Sequence, residues 1–391
     1  MAETSMIWPE VIGQQRVKRY LAGVFQEERL PNAFLFSGAE GVGKDAMAVT
    51  FGRALHCERN GIEPCGTCSS CIKVRSLQHP DIKFIFALPH GRDEDRDDAP
   101  LAKVSDQDIK TIREQLRLKG ENLYHRLAIP KANVIKISSI REARSESAMT
   151  TFDGRRRVII ISRAEEMGEE ASNTLLKTLE EPSRNTMFIL TSSQPDALLP
   201  TIRSRCQLVR FEQLSPEEIQ AVLVGRDQAS PQQAELVSRL ALGSLTRAVE
   251  LLDADIAQQR QEAITFIRNT LGASFCRLME QVDKLASLKD RDFLVRFFTL
   301  LNIWFRDALV LREQCPVISV DQHDELLRFV RKFPNADLVR VLEEVERAIF
   351  LVQRNVYLTL VLVQLSIRLK RHILPAPFER ADTSTTASLQ V

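Results

Sequence analysis

The chain has 391 residues, with 53 Lys+Arg against 52 Asp+Glu for a formal charge of +1; 44% of residues are hydrophobic and 27% charged. This is enough material for two or three domains with real cores, and the composition is that of a folded chain rather than a disordered one. Near-neutrality excludes a global field for nucleic acid, so any DNA contact must come from local patches, and no stretch approaches the ~18 apolar residues of a membrane-spanning helix.

The start, Met1-Ala2-Glu3-Thr4-Ser5, has no basic region leading into an apolar core, so a secretory signal is not expected. Ala33-Phe34-Leu35-Phe36 is a short continuous apolar run suited to a buried strand. It leads into Gly38-Ala39-Glu40-Gly41-Val42-Gly43-Lys44-Asp45, and a helical pattern follows over 46–55. G-x4-G-K between a strand and a helix reads as a P-loop. The glycines let backbone N–H groups turn toward phosphates, the helix N-terminus favours an anion, and Lys44 meets the β/γ oxygens. Gly38, Gly41, Gly43, Lys44 and Asp45 are therefore the nucleotide-binding candidates. Asp45 departs from the pattern: a P-loop enzyme has a Ser or Thr hydroxyl there for Mg²⁺. A carboxylate brings negative charge toward the triphosphate and should weaken nucleotide binding.

Four of the seven cysteines, Cys57, Cys65, Cys68 and Cys71, fall in one short, loop-like segment. Four thiolates that can share a tetrahedral centre suit Zn²⁺, and with no open position the metal would be structural. Two disulfides, or free thiols, are the alternatives, and His56 is the one substitute ligand. An odd cysteine count without a secretory signal argues for a reducing, cytoplasmic setting. From about 88 to 130, opening on the charged run His90-Gly91-Arg92-Asp93-Glu94-Asp95-Arg96-Asp97-Asp98, the chain reads as a surface insertion: a solvated loop with one amphipathic helix.

Val158-Ile159-Ile160-Ile161 and Phe188-Ile189-Leu190 are further buried strands, and between them Leu175, Leu176 and Leu179 mark a helix over 171–181 that Pro182 stops. After 158–161 a P-loop ATPase needs an Asp for Mg²⁺ and an acid to orient water. The residues here are Ser162-Arg163-Ala164-Glu165, with Glu165 too late in the pattern. Hydrolysis at this site is not expected. Beyond Phe211 the pattern turns helical. Ser215-Pro216-Glu217-Glu218 is a helix start, and Leu338, Leu342, Val345, Ile349 and Val352 form a core-facing stripe. The Thr/Ser/Ala-rich tail, 375–391, reads as disordered.

Leu175-Leu176-Lys177-Thr178-Leu179-Glu180-Glu181-Pro182 followed by Ser204-Arg205-Cys206 resembles the small subunits of bacterial replicative clamp loaders. These are AAA+ proteins that place the sliding clamp of DNA polymerase III on primed DNA. Ile12-Gly13-Gln14, the run from Asn32 into the P-loop and the four-cysteine module extend the resemblance to about residue 250. Asp45 and Ser162-Arg163 depart from the ATP-hydrolysing gamma/tau type and match the degenerate delta-prime type. Thr246 stands where the motor type carries a sensor arginine, with Arg247 one position late.

The resemblance implies an α/β AAA+ P-loop domain over 1–211, with the cysteine module at 57–71. A helical lid at 212–255 and an all-helical oligomerisation (collar) domain at 256–374 would follow. It also implies that Arg205 is an arginine finger acting on a neighbour's ATP, since a guanidinium is permanently charged and pairs with phosphate oxygens. Arg203, Arg205 and Arg210 as a plain basic strip are the alternative. Structural zinc, weak or absent ATP/Mg²⁺, gamma/tau- and delta-type partner subunits, and the clamp and primed DNA reached through the complex complete the expectation. No polymerase activity and no ATPase of its own are expected. The rival reading is a gamma/tau-like motor or another AAA+ ATPase that hydrolyses ATP itself; a DNA-binding zinc protein fits less well, because the cysteines lack basic, aromatic surroundings.

Overall fold

A computed structural model of the chain describes residues 7–374, apart from 28, 29, 93, 96, 97, 153, 184, 253–255 and 355. The tail at 375–391 lies outside the described residues. Contacts divide the chain into two units that part between Glu250 and Leu251.

The first unit runs α1 (Gln15–Gln26), β1 (Ala33–Ser37), α2 (Lys44–His56), α3 (Ser69–Arg75), β2 (Ile82–Ile85), α4 (Asp106–Glu121) and α5 (Ile137–Ser147). It continues through β3 (Arg157–Ile161), α6 (Glu169–Glu180), β4 (Thr186–Ser192), α7 (Pro200–Arg205), β5 (Gln207–Arg210), α8 (Pro216–Gly225), α9 (Pro231–Leu240) and α10 (Leu245–Leu252). Among the described residues the strands form one five-stranded sheet in the order β2-β3-β4-β1-β5, with every neighbouring pair parallel. Phe34 is in register with Ile189 of β4 on one side and with Gln207 of β5 on the other.

Successive side chains of a strand alternate between its two faces. Phe34 meets Phe51 of α2 edge-on at 6.1 Å, and Phe51 meets Trp8 at 5.9 Å. Ala33 and Leu35 belong to the opposite face, in a core with Ile159, Ile161, Phe188, Leu190 and the α6 residues Ala171, Leu175 and Leu179. Burial on both faces is why β1, β3 and β4 read as unbroken apolar runs. The edge strands β2 and β5 escape sequence reading because each is short and only partly buried. The start of α8 follows the sequence closely: Ser215 Oγ accepts from Glu218 N at 3.2 Å, while Glu218 Oε2 accepts from Ser215 N at 2.9 Å.

The 88–130 stretch does contain an amphipathic helix, α4, with a small core of Leu88, Val104, Ile112 and Ile129 beside it. It is not merely a solvated loop, however. The end of α4 and the turn after it run inward to the P-loop, because Lys119 there meets a carboxylate on α2.

The second unit comprises α11 (Ile256–Leu271), α12 (Phe275–Ser287), α13 (Arg291–Arg312), α14 (His323–Lys332), α15 (Leu338–Gln353) and α16 (Leu358–Ile373), with no strand among the described residues. Its core is built on Phe297, Phe298, Trp304 and Phe305 of α13. Leu338, Val345 and Val352 of the α15 stripe are buried in that core, Leu342 and Ile349 pack against it, and Val341 and Ala348 complete the face.

Candidate P-loop site, arginine and cysteine cluster

In parallel α/β sheets, sites form beyond the carboxyl ends of the strands. Here β1 ends in the P-loop, flanked by β4, with β3 next to that. Gly41 (φ 77°) and Gly43 (φ 101°) both take left-handed backbone conformations. A Cβ on Gly41 would lie 2.0 Å from Ser244 Oγ, and one on Gly43 would lie 2.7 Å from Tyr124 Oη. The loop is therefore closely covered from two directions. Lys44 Nζ bends back onto the loop and donates to the carbonyls of Gly38 (2.7 Å) and Ala39 (2.6 Å). Burial lowers its pKa, against the opposing pull of Asp45 and Glu165.

Asp45 sits at the centre of a polar cluster. Its carboxylate accepts from Ser162 Oγ (2.8 Å) and Thr191 Oγ1 (2.7 Å) and pairs with Lys119 Nζ (3.2 Å). Burial would raise its pKa, but Lys119 and the two hydroxyls outweigh that and hold it below the ordinary aspartate value. Lys119 also donates to the carbonyl of His125 at 2.9 Å. Tyr124 Oη accepts from Ile12 N at 2.8 Å, and its carbonyl accepts from Thr246 Oγ1 at 2.7 Å. Arg126 pairs with Glu40 at 3.2 Å.

The space left is a cavity of about 90 Å³ lined in part by Glu40, Asp45, Lys119, Tyr124, Arg163 and Thr246, whereas small-molecule sites usually span ~300–1,000 Å³. Beside it, Arg163 pairs with Glu166 at 2.8 Å, and burial pushes the Glu166 carboxyl up to about 7. Glu165 Oε1 accepts from Ser193 N (3.0 Å) and Ser193 Oγ (2.6 Å). The structure thus brings together Gly41, Gly43, Lys44, Asp45, Ser162, Arg163 and Thr246. Sequence reading missed Lys119, Tyr124 and Thr191, which lie in stretches with no motif.

Arg205 is elsewhere. It is the last residue of α7, at the N-terminal end of β5, whereas the P-loop leaves the C-terminal end of the parallel neighbour β1. The length of these strands separates the two, on the order of 13 Å. Its guanidinium pairs with Glu180 Oε1 at 3.0 Å and donates to Thr201 O at 3.2 Å, with the side chain partly exposed. Arg203 instead pairs with Asp196.

The four predicted cysteine ligands do converge. Cys57 caps α2, Cys68 caps α3, Cys71 lies in the first turn of α3, and all four sulfurs lie within 4.8 Å of one another. Cys65 and Cys71 Sγ are 3.9 Å apart, close to the ~3.8 Å that tetrahedral ligation at ~2.3 Å requires. Backbone N–H groups point at the sulfurs: Cys65 N to Cys57 (3.3 Å), Cys68 N to Cys65 (3.3 Å) and Cys71 N to Cys68 (3.4 Å). Hydrogen bonds from Thr67 and Cys68 draw the Cys65 thiol down to about 5, while burial pushes the Cys71 thiol up. The four cysteines could hold a metal ion. His56 is not among them. It lies with His79 and Asp81 in a second buried group, already engaged: Asp81 pairs with Arg157, and His79 Nδ1 accepts from Asp81 N while Nε2 meets Ser70 Oγ.

A sequence profile of the family described as DNA polymerase III, delta subunit, matches residues 13–215. The Bacillus subtilis protein named DNA polymerase III subunit delta' is 29% identical over 303 residues, covering 76% of this chain and 78% of that protein. The Escherichia coli protein named DNA polymerase III subunit tau is 27% identical over 273 residues, covering 67% of this chain but only 36% of its own length. Among solved structures, a DNA polymerase III gamma subunit-related protein from Thermotoga maritima aligns with 90% of this chain and 99% of itself, at 12% identity and a TM-score of 0.40. The chain belongs to the DNA polymerase III delta-subunit family, as a homologue of delta-prime that is also related to gamma/tau.

Proposed function

We propose that the chain is a delta-prime-like subunit of the DNA polymerase III clamp loader, an AAA+ assembly component that helps load the sliding clamp onto primed DNA. One observation carries the reading: Arg205 and the P-loop stand at opposite ends of parallel strands, so this arginine serves a nucleotide other than the chain's own. In a ring of such domains it is the finger offered to a neighbouring gamma/tau-type subunit. There its charge stabilises the negative charge on the transferred phosphoryl group. To reach it, the side chain must give up Glu180.

The chain's own site takes ATP weakly or not at all. Asp45 replaces the metal-binding hydroxyl and is already shared among Ser162, Thr191 and Lys119. Cys57, Cys65, Cys68 and Cys71 hold zinc, which when bound supplies a structural cross-link and no catalysis. In this reading 212–255 is the lid and 256–374 the collar domain that joins the other subunits. The setting is cytoplasmic, in keeping with reduced cysteines; no described helix is long and apolar enough to cross a membrane.

The test is co-purification with gamma/tau-type and delta-type subunits and the clamp, paired with ATPase assays. The isolated chain should give no more than trace turnover. Turnover by the isolated chain that Lys44→Ala abolishes would instead identify a motor of the gamma/tau kind.

A further inference from the structure

The surroundings of Asp45 resemble a magnesium site from which the ion has been replaced by the chain itself. A hard divalent ion at a P-loop takes oxygens: a carboxylate, hydroxyls and waters. Asp45, Ser162 and Thr191 offer one carboxylate and two hydroxyls, drawn from α2 and from the C-terminal ends of β3 and β4. Each hydroxyl spends its proton on Asp45; Ser162 Oγ keeps its lone pairs for a cation, and Thr191 Oγ1, which also accepts from Arg163 N at 3.2 Å, keeps one. The cation present is an ammonium: Lys119 Nζ lies 3.2 Å from Asp45 Oδ2, with only 6% of its side chain exposed.

Lys119 is not an incidental neighbour. Its second bond, to His125 O, closes the turn after α4 on itself. Tyr124 then lies over Gly43, its hydroxyl accepting from Ile12 N, while Thr246 donates to its carbonyl. The turn is thus bonded to the segments before and after it that frame the P-loop. Lys44, the residue meant for phosphate, is bent away onto Gly38 and Ala39.

We propose that Lys119 is the resident cation of this P-loop, standing in for the divalent ion, and that the 119–127 turn is the chain's own occupant of the site. The inference rests on the reading of this site as one that no longer turns over nucleotide, and it names what fills it. It predicts that removing the ammonium uncovers a magnesium site that Asp45 governs.

The experiment uses the full chain, with thermal unfolding followed in magnesium-free buffer and at millimolar Mg²⁺. Mg²⁺ is the probe because it prefers oxygen ligands and leaves cysteine clusters alone. The wild type should show the same Tm in both buffers. Lys119→Met should lower Tm by about 5 °C or more without Mg²⁺, since it strands a mostly buried carboxylate, and Mg²⁺ should restore at least half of the loss. Asp45→Asn with Lys119→Met should recover Tm without Mg²⁺ and lose the response to it. The proposal is overturned if Lys119→Met responds to Mg²⁺ no more than the wild type, or if the double variant responds just as Lys119→Met does. Should Lys119→Met not fold, Lys119→Gln in the same two buffers replaces it. ATP turnover by the wild-type chain would defeat the functional reading and leave the magnesium comparison standing as a separate result.

Discussion

Asp45 and Ser162 meet at 2.8 Å with their chemical roles exchanged. A P-loop ATPase carries a hydroxyl after the lysine and an acid after the second strand, and the two share Mg²⁺. This chain carries the acid on the helix and the hydroxyl after the strand, and the hydroxyl donates directly to the acid. The bond ties α2 to the end of β3 and commits the carboxylate to protein donors.

Lys44 donates to the Gly38 and Ala39 carbonyls of its own loop. Lys44→Ala should accordingly leave DNA-stimulated ATP hydrolysis by the assembled loader within about twofold of the wild type, well inside the ~1.4 kcal/mol that a tenfold change represents. A loss of the size seen when a motor subunit's lysine is removed would mean that this site does bind and turn over nucleotide.

Arg205→Ala should leave the subunit folded and able to assemble, because its partners Glu180 and Thr201 lie at the surface. At the one interface it serves, hydrolysis should fall by as much as ~10³–10⁵, as for the best arginine fingers. Total turnover by the complex should fall partially if several motors fire in turn. Arg203→Ala is the control. Equal losses from both variants in a steady-state ATPase assay would reduce the pair to a general basic surface.

Metal analysis of protein purified without chelator should return about one Zn²⁺ per chain. Cys68→Ser should lower thermal stability and loosen the 57–71 segment in hydrogen exchange, and should not touch the Arg205-dependent ATPase. Disulfides found in the reduced protein, or no metal, would count against the zinc centre.

Glu166 gives a pH signature. Its carboxyl rises from 4.5 in the unfolded chain to about 7 in the fold, chiefly through burial, with Arg163 opposing and Glu165 and Glu40 reinforcing. Between those values the folded state holds more of this proton than the unfolded state does, so this group makes stability fall as pH rises from 4.5 to about 7. Glu166→Gln should flatten that part of the stability profile measured by urea unfolding. An unchanged slope would show that the carboxyl titrates normally.

Gly41→Ala tests how closely Ser244 and Thr246 cover the P-loop. The substitution forces a non-glycine residue to φ 77° and drives Cβ to 2.0 Å from Ser244 Oγ. A loss of roughly 1–3 kcal/mol is expected from the backbone alone, with Ser244→Gly relieving part of it. Calorimetry on the two variants and their combination separates strain from contact.

The amino-acid sequence by itself determined whatever depends on short spacing. Phe34 and Phe36 buried ahead of Gly38 announce a strand entering a P-loop, and Cys65, Cys68 and Cys71 at three-residue intervals announce thiols brought together by one turn and the start of a helix. Ser215 and Glu218 likewise mark a capping box, because all its bonds are local. The family itself was legible from the run ending at Pro182 and from Ser204-Arg205-Cys206. The fate of Asp45 was a matter for the tertiary structure. Lys119, Ser162 and Thr191 lie 74, 117 and 146 residues away in the chain. No periodicity records such distances. They are closed by the order β3-β4-β1 of the parallel sheet and by the inward path of the turn after α4. The same strand order sets Arg205 at the far end of the sheet from Lys44, and so decides on which side of the domain its charge can act.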